Sequence, residues 1–209
     1  MTGRSIPLPG LTGLNSLVLP GLISPETTST SASYAAATNI FNTKFAITNV
    51  AYSESNLRAT WSVAATNPTA ILIVPRQVSG SWLLEFEVVT LGSQATIAVV
   101  TASALPAVTD DLATAVGGVY GYVSTGSKVV NTVTSAYGAS YTTGDKIGMG
   151  WNADAGTMEF FKNGASQGIA FTGISGLFLP ACGPTSGFTT DMRVSTTLSY
   201  TYAGYLQWR

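Results

Sequence analysis

Short runs of apolar and β-branched residues recur along the chain from about Tyr34 onward, separated by turn-forming residues. Clear examples are SWLLEFEVVT (81–90), ATIAVVT (95–101) and KIGMGWNA (146–153). Runs of this length, with no long helical periodicity between them, predict an all-β fold of two packed antiparallel sheets. DDLATAVGG (110–118) is the one candidate for a short helical turn. The other predicted strands are FAITNVAYS, LRATWSVAA, AILIVP, VYGYVS, TMEFFKN, LFLPACG and RVSTTLSYTY.

Two turn signals lie within residues 144–171, GDKIGMGWNADAGTMEFFKNGASQGIAF. Residues 154–156 are predicted to turn between two strands. The Asn-Gly pair at 163–164 favours a type I′ hairpin, because both central residues of that turn need a positive φ. In the strand between the turns, Met158 and Phe160 share one face. We therefore expect a three-stranded meander with one apolar face in the core.

Charged residues make up only 9% of the 209 residues, and the formal net charge is −1. The nine Lys and Arg residues are scattered singly, which gives no basic footprint for nucleic acid. No stretch approaches the roughly 20 apolar residues that span a bilayer. A surface with few charges protects weakly against self-association and is typical of a protein that works within an assembly. Cys182, the single cysteine, lies in an apolar run and is predicted to be a buried thiol.

The candidate chemistry is sparse. The chain has no histidine, which removes the commonest general base and transition-metal ligand. Nucleophile arrangements that depend on histidine are excluded in their usual form, and one cysteine does not make a thiolate metal site. Glu85 and Glu87 share a face of one predicted strand, which leaves a carboxylate pair for glycoside hydrolysis as a weak alternative. We predict no catalytic residue, no metal site and no cofactor.

Residues 1–33 differ from the rest in composition, because proline and glycine punctuate an apolar run that repeats Leu-Pro-Gly-Leu. Proline prevents a regular helix here, which predicts an extended arm and argues against a secretion signal. Short terminal segments seldom order themselves, so we expect a partner surface to order the arm. Packing of the arm on its own sandwich is the alternative. The predicted docking residues are Ile6, Leu8, Leu11, Leu14, Leu17, Leu19 and Leu22.

Tyrosines cluster between residues 119 and 141, where Tyr120, Tyr122 and Tyr141 are expected in strands. Tyr137 is a candidate for a loop contact, since one ring offers both area and a hydroxyl. The acidic pair at 110–111 is interpreted as a solvated loop, because a Ca²⁺ site needs about six or more oxygens. The predicted loop binding surface comprises Asp110, Asp111, Lys128, Asn131 and Tyr137.

Residues 144–171 resemble the core of the SPRY (B30.2-like) domain, whose GD-x-IG and KNG motifs they contain. Three further segments resemble the family in the same order. They are SGSWLLEFEV (79–88), with Trp82 and Glu85 at matching positions, GLFLPACG (176–183) and the closing VSTTLSYTYAGYLQW (194–208). The closing segment has Thr-Thr-Leu at 196–198 where the family has Asn-Phe-Gly. TGSK…AYGASYTTGD (125–145) is similar to versions found in phage-encoded proteins.

The resemblance covers about residues 40–209 and implies a bent two-sheet antiparallel β-sandwich (SPRY/concanavalin-like) behind an extended N-terminal arm. It also implies a binding module, not an enzyme, whose loops at one end grip protein surfaces. Many lectins share this architecture, so the fold alone leaves sugar ligands open. The predicted domains are the arm and linker at 1–33 and the sandwich at 34–209.

The leading hypothesis is a non-enzymatic bacteriophage virion structural protein, as a decoration, fibre or collar component assembled in the host cytoplasm. Its arm would bind other virion proteins of the capsid or tail. The first alternative is a receptor- or glycan-binding adhesin that recognises a host surface glycan or protein through its loops. A glycoside hydrolase that uses Glu85 and Glu87 ranks last. No nucleic-acid or membrane partner is expected, and a homo-oligomer such as a trimer is compatible with the sequence.

Overall fold

The computed structural model describes residues 40–42, 49–62, 69–74, 77–101, 111–115, 117–185 and 189–208. These residues form fifteen strands and no helix, so none of them crosses a membrane as a helix. The predicted arm lies outside the described residues, and the domain boundary at 33/34 stays a prediction. The strands are β1 (Ile40–Phe41), β2 (Val50–Ser53), β3 (Arg58–Trp61), β4 (Ala70–Ile73), β5 (Ser81–Thr90), β6 (Ala95–Thr101), β7 (Val119–Val123), β8 (Ser127–Val130), β9 (Val133–Ala136), β10 (Lys146–Asn152), β11 (Thr157–Lys162), β12 (Ala165–Phe171), β13 (Phe178–Pro184), β14 (Thr190–Val194) and β15 (Leu206–Gln207).

Two sheets pack face to face, which confirms the predicted all-β sandwich. The first has seven strands in the order β1-β4-β13-β6-β7-β8-β9. The second has eight strands, with β12-β11-β10-β5-β14-β3-β2 in line and β15 beside the first half of β5. The pairings are antiparallel except that of β15 with β5, which is parallel. Strand β15 finds room there because β14 pairs only with the second half of β5 and leaves the first half open.

The main core lies between the inner faces of the two sheets. Strand alternation sends Leu84, Phe86 and Val88 of β5 into it, where all three are fully buried. Cys182 is also fully buried, as expected, and burial raises the pKa of its thiol. A second cluster lies on the outer face of the seven-stranded sheet, under the turn at 111–115. The candidate helical turn in DDLATAVGG is therefore a single hydrogen-bonded turn that covers this sheet.

Both turn predictions in the central meander are confirmed. Asn163 and Gly164 have φ values of 50° and 81°, as a type I′ turn requires. The expectation of one apolar face was wrong, however, because Phe161 on the opposite face is 6% exposed. Its ring contacts Tyr202 and Tyr205 at centroid distances of 4.9 and 5.6 Å. The outer face of this sheet therefore carries a third cluster, formed with Leu83.

The C-terminal segment explains that cluster and corrects the predicted strand RVSTTLSYTY. Strand β14 ends at Val194, and residues 195–205 cross the outer face of β5, β10 and β11 without strand pairing. The residues of β10 that lie beneath Tyr202 and Tyr205 are glycines. A Cβ on Gly148 would lie 2.9 Å from the ring of Tyr202, and one on Gly150 would lie 2.8 Å from that of Tyr205. The missing side chains provide the space in which the two tyrosines lie.

Asp145 joins the start of β10 to the β11–β12 turn. Its carboxylate accepts hydrogen bonds from the Thr142 N–H at 2.8 Å and the Asn163 side-chain amide at 2.7 Å. Lys162 adds an ion pair at 3.2 Å. Burial alone would raise the pKa of Asp145, but these partners together lower it. The GD and KNG motifs therefore meet in space and fix the same turn.

Replacing Gly150 with alanine tests the tyrosine-on-glycine packing. We expect Gly150→Ala to lower the free energy of unfolding by about 1–3 kcal/mol, because its Cβ overlaps the Tyr205 ring. Urea unfolding followed by tryptophan fluorescence measures this change. In a Tyr205→Ala background the same substitution should cost clearly less, since the closest neighbour of the added Cβ is then the Phe161 ring at 3.2 Å. Equal losses in the two backgrounds would contradict the packing argument.

Candidate functional site

The loops at one end of the sandwich are joined by hydrogen bonds into one surface. We call this surface the apolar end; it comprises residues 77–80, 153–156, 172–177 and 206–208. The Ala153 N–H donates to the Gly80 carbonyl at 2.8 Å, and the Gly80 N–H donates to the Asp154 carboxylate at 3.0 Å. The Ile174 N–H donates to the Gly156 carbonyl at 3.0 Å. Each loop therefore holds its neighbour in place.

Large apolar side chains are exposed around the rim of the apolar end. Val78 is 67% exposed, Leu177 is 43% exposed and Leu206 is 64% exposed. Val78 and Leu177 lie on the cross-bonded loops, and Leu206 lies on β15, which pairs with the start of β5. Single exposed apolar residues are common, but three in this region form a surface suited to contact. Beneath them Trp151 packs edge-on against Phe178, with ring centroids 5.4 Å apart. The aromatic pair gives the rim a rigid base.

One depression in this surface, lined by described residues, is too small for an organic ligand. It is lined by Gln77, Trp151, Gly176, Leu177, Phe178 and Trp208 and has a volume of about 10 Å³. That volume holds about one water molecule, whereas ligand pockets usually measure about 300–1,000 Å³. Elsewhere, the described residues contain no group of three or more Cys, Asp and Glu placed to hold a metal ion. The apolar end suits a broad macromolecular contact.

Two residues of the predicted loop surface, Lys128 and Tyr137, lie together where β9 approaches β12. The Tyr137 hydroxyl donates to the Gly168 carbonyl and accepts from the Phe160 N–H, and burial raises its pKa. Lys128 Nζ donates to the Ala170 carbonyl at 2.6 Å and lies 5.7 Å from the centre of the Tyr137 ring. Both side chains therefore tie one sheet to the other. Their role in binding a ligand stays a prediction.

The other members of that predicted surface lie apart from this pair. Asn131 is at the tip of the β8–β9 turn with a φ of 47°, and its side-chain oxygen accepts from the Val119 N–H. Asp111 is 7% exposed and accepts from the Ala113 N–H, and burial raises its pKa. It stabilises the 111–115 turn, so the interpretation of a solvated acid was wrong for this residue. Asp110 lies outside the described residues.

Tyr120 and Tyr122 lie in β7, as expected, whereas Tyr141 lies in the core but outside any strand. Tyr122 is fully buried and Tyr141 is 2% exposed. Tyr120 is half-buried, and its ring packs edge-on against Phe171 with centroids 5.4 Å apart. All three side chains pack in or against the core between the sheets, and Tyr122 and Tyr141 are not available to a ligand.

The comparison with known families agrees with this arrangement. A family model of the SPRY domain matches residues 85–197, which is more than half of the chain. The chain belongs to the SPRY domain family. SPRY domains are generally protein-binding modules and are typically not catalytic. No curated protein matches the sequence.

Solved SPRY domains share the fold. The SPRY domain of human HERC1 is 18% identical, with a TM-score of 0.59 over 74% of this chain and 96% of that one. A second human SPRY domain is 14% identical, with a TM-score of 0.57 over 72% of this chain and 97% of that one. At these identities the likeness establishes the fold and leaves the ligand open.

Glu85, where the SPRY match begins, is a fully buried carboxylate on the outer face of β5. It accepts hydrogen bonds from the Ser195 hydroxyl at 3.1 Å, from the Ser199 N–H and hydroxyl at 3.1 and 2.6 Å, and from the Tyr202 hydroxyl at 2.7 Å. Lys146 Nζ donates to the Ser199 hydroxyl at 2.6 Å, so the cation reaches the carboxylate through that serine. Burial raises the pKa of Tyr202, which therefore stays a hydrogen-bond donor.

Glu87, the second carboxylate considered for hydrolysis, belongs to an ion-pair network on the same face. Arg193 lies 3.1 Å from Glu87 and 2.8 Å from Glu54. Arg58 pairs with Glu54 at 3.2 Å and with Asp191. Glu85 is sealed beneath the C-terminal segment and Glu87 is neutralised by Arg193. This arrangement gives the proposed carboxylate pair no access to a glycoside.

The sequence does not predict that the residues of the apolar end form one surface. Val78 stands alone beside a glycine-containing turn, and Leu177 begins the predicted strand LFLPACG, so neither is marked as an exposed loop residue. Only the fold shows that these two segments are neighbours. The available signal was an aliphatic residue directly beside a loop glycine, which by itself is weak.

Replacing the buried carboxylate tests its structural role. We expect Glu85→Gln to lower the free energy of unfolding by about 1–3 kcal/mol, because the amide leaves at least one buried donor unpaired. Glu87→Gln, on the same strand and face but partly exposed, should cost less than about 1 kcal/mol. Denaturant unfolding of both variants at one pH provides the comparison. Equal losses of unfolding free energy in the two variants would contradict a special contribution of the buried Glu85 carboxylate to stability.

Proposed function

We propose that the chain is a non-enzymatic binding domain that docks a protein surface through its apolar end. The observation that carries this proposal is the exposure of Val78 and Leu177 on cross-bonded loops. Membership in a family of protein-binding modules supports it. The depression that described residues form at this end holds about one water molecule, which favours a protein over a small molecule as the ligand.

The stiffness of the loops favours affinity. Association costs free energy when loops and side chains must become ordered at the interface. At the apolar end the Gly80–Ala153 and Gly156–Ile174 hydrogen bonds are already formed, and the Trp151 ring is 5% exposed. A partner therefore meets a surface whose backbone shape is set before contact.

Within that function, we propose a virion structural role for the whole chain. The apolar arm at 1–33 would anchor the protein to capsid or tail proteins of a bacteriophage, and the SPRY domain would face outward. The arm's run of aliphatic residues without charge from Ser5 to Pro25 and the low overall charge support this role. A host surface glycan recognised by the loops is the second candidate, and binding to a glycan array would favour it.

Paired charge substitutions test the apolar end. We first expect a photoreactive amino acid at position 177 to cross-link a protein partner in an extract of the source particles or cells, and one at Ser93 not to do so. Binding of that partner, measured by calorimetry, should weaken at least about tenfold in a Val78→Asp/Leu177→Asp variant, because carboxylates would enter a desolvated contact.

The matched control carries Ser93→Asp and Thr125→Asp at exposed positions of the opposite end and should bind as the parent does. All variants should keep the parent's unfolding transition. Unchanged affinity in the Val78→Asp/Leu177→Asp variant, or equal cross-linking from both photoreactive positions, would contradict docking at the apolar end.

The arm is tested by the mass of the full chain beside a variant that starts at Tyr34. We expect the shortened protein to be a folded monomer in light scattering and only the full chain to sediment with purified virions or their capsid protein, because the anchor is confined to 1–33. Full-length oligomers in the absence of virion proteins would indicate a self-association arm. Equal sedimentation of the two proteins would contradict the anchoring role while leaving docking by the apolar end intact.

A further inference from the structure

Four strand edges bound the two sheets in the described part of the chain: β1 and β9 in the first sheet, β12 and β2 in the second. An edge strand presents unpaired N–H and C=O groups, and soluble proteins protect such edges by shortness, charge or bulges. Strand β1 has only two residues. Strand β12 has irregular register around Gly168, whose carbonyl accepts from Tyr137. Strand β2 runs into Glu54 and its arginine partners.

Strand β9 is twice as long as β1 and has neither charge nor bulge. Its sequence Val-Thr-Ser-Ala contains no charge and no proline, and its register with β8 is regular from end to end. All four side chains are exposed, with Val133 at 64%. The one cation of the β8–β9 hairpin, Lys128, is directed to the Ala170 carbonyl and away from this edge. Within the described part of the chain, the edge is therefore open to another extended chain.

The hairpin register fixes which backbone groups face outward. The Asn131–Thr132 turn is closed by Val130 and Val133, and the closing pair of such a turn exchanges both of its hydrogen bonds. Pairs alternate along an antiparallel ladder, so Val133 and Ser135 bond to β8. The Tyr137 N–H, which donates inward to the Gly126 carbonyl, continues this alternation. Thr134 and Ala136 therefore present their N–H and C=O groups outward.

We propose that β9 pairs with β9 of a second copy of this chain in an antiparallel ladder with its twofold axis at Ser135. In that register Thr134 of each copy faces Ala136 of the other, and each such pair exchanges both of its outward hydrogen bonds. Ser135 faces Ser135 in a pair without hydrogen bonds between them. The opposed side chains are small and uncharged, so no repulsion opposes the pairing. The two seven-stranded sheets become one continuous sheet across the axis.

A second copy fits this edge on grounds of symmetry and charge. The outward donors and acceptors satisfy one another in a single register without any other sequence. Only 9% of the residues are charged, which gives weak repulsion between approaching copies. The contact is short and belongs to the weak, reversible class of interfaces. It becomes effective at high concentration or where copies are held side by side.

A cysteine at the axis tests the register. In the proposed ladder the two Ser135 Cα atoms lie about 4.5 Å apart, within the range that a disulfide spans. Ser135→Cys should therefore form a disulfide-linked dimer under mild oxidation. Ala136→Cys is the matched control, because its two Cα atoms would lie about 7–8 Å apart, beyond easy bridging. The native Cys182 is fully buried and does not compete.

We expect the Ser135→Cys dimer to form at least about tenfold faster than the Ala136→Cys dimer. Equal rates, or faster linkage through position 136, would overturn the register. A blocked edge gives an independent measurement: Thr134→Pro removes an outward N–H, which an edge strand tolerates. That variant should stay monomeric in sedimentation up to concentrations where the parent and Thr134→Val associate.

Amide exchange at rising protein concentration distinguishes self-pairing from other occupants. Protection of the Thr134 and Ala136 amides should increase with concentration, while Val133 and Ser135 stay protected throughout. Concentration-independent exchange at Thr134 would overturn the proposal. Protection of Thr134 that requires an added foreign peptide, with the chain still monomeric, would overturn it as well.

Discussion

The buried carboxylate of Glu85 determines how the last part of the chain is used. Burial of a carboxylate is costly unless hydrogen-bond donors surround it, and here the donors come from Ser195, Ser199 and Tyr202. These residues must therefore cross the outer face of β5 and cannot continue β14. The same path places Leu206 beside Trp82 and lets Trp208 reach the main core, where it is 2% exposed. One polar requirement thus leads to an additional apolar cluster and a parallel strand.

The glycines of β10 leave the space that the C-terminal segment needs to reach Glu85. A tyrosine can bring its hydroxyl to a carboxylate on the neighbouring strand only if its ring lies flat against the sheet. Gly148 and Gly150 leave that room, and Phe161 on β11 provides the edge against which the rings pack. The alternation Ile-Gly-Met-Gly-Trp therefore encodes two faces: large residues toward the main core and absent side chains toward the C-terminal segment.

The fold class and the longest strands are predictable because their pattern is local. Strands β5 and β6 have the bounds that their apolar runs predict, and Asn163-Gly164 forms the expected turn. Strand β12 is the third strand of the predicted meander. Strands β8 and β9 were not predicted, because Ser, Thr and Ala within them give little contrast between apolar and polar positions. RVSTTLSYTY alternates like a strand, yet its partners are a carboxylate and a glycine face far away in sequence. The apolar end was not predicted for the same reason, since its loops come together only in the folded chain.

The pairing of β15 with β5 has a consequence for the order in which the domain is made. Trp82 and Leu206 stand opposite each other although most of the domain's sequence lies between them. Contacts between such distant residues form late and slow the folding of β proteins. During synthesis one edge of the first half of β5 therefore stays unpaired until the ribosome has released the residues around Leu206. Over the same interval the Glu85 carboxylate lacks its hydrogen-bond donors. Over that interval the nascent domain depends on solvent, or on a chaperone, to cover a strand that will become the middle of the sheet.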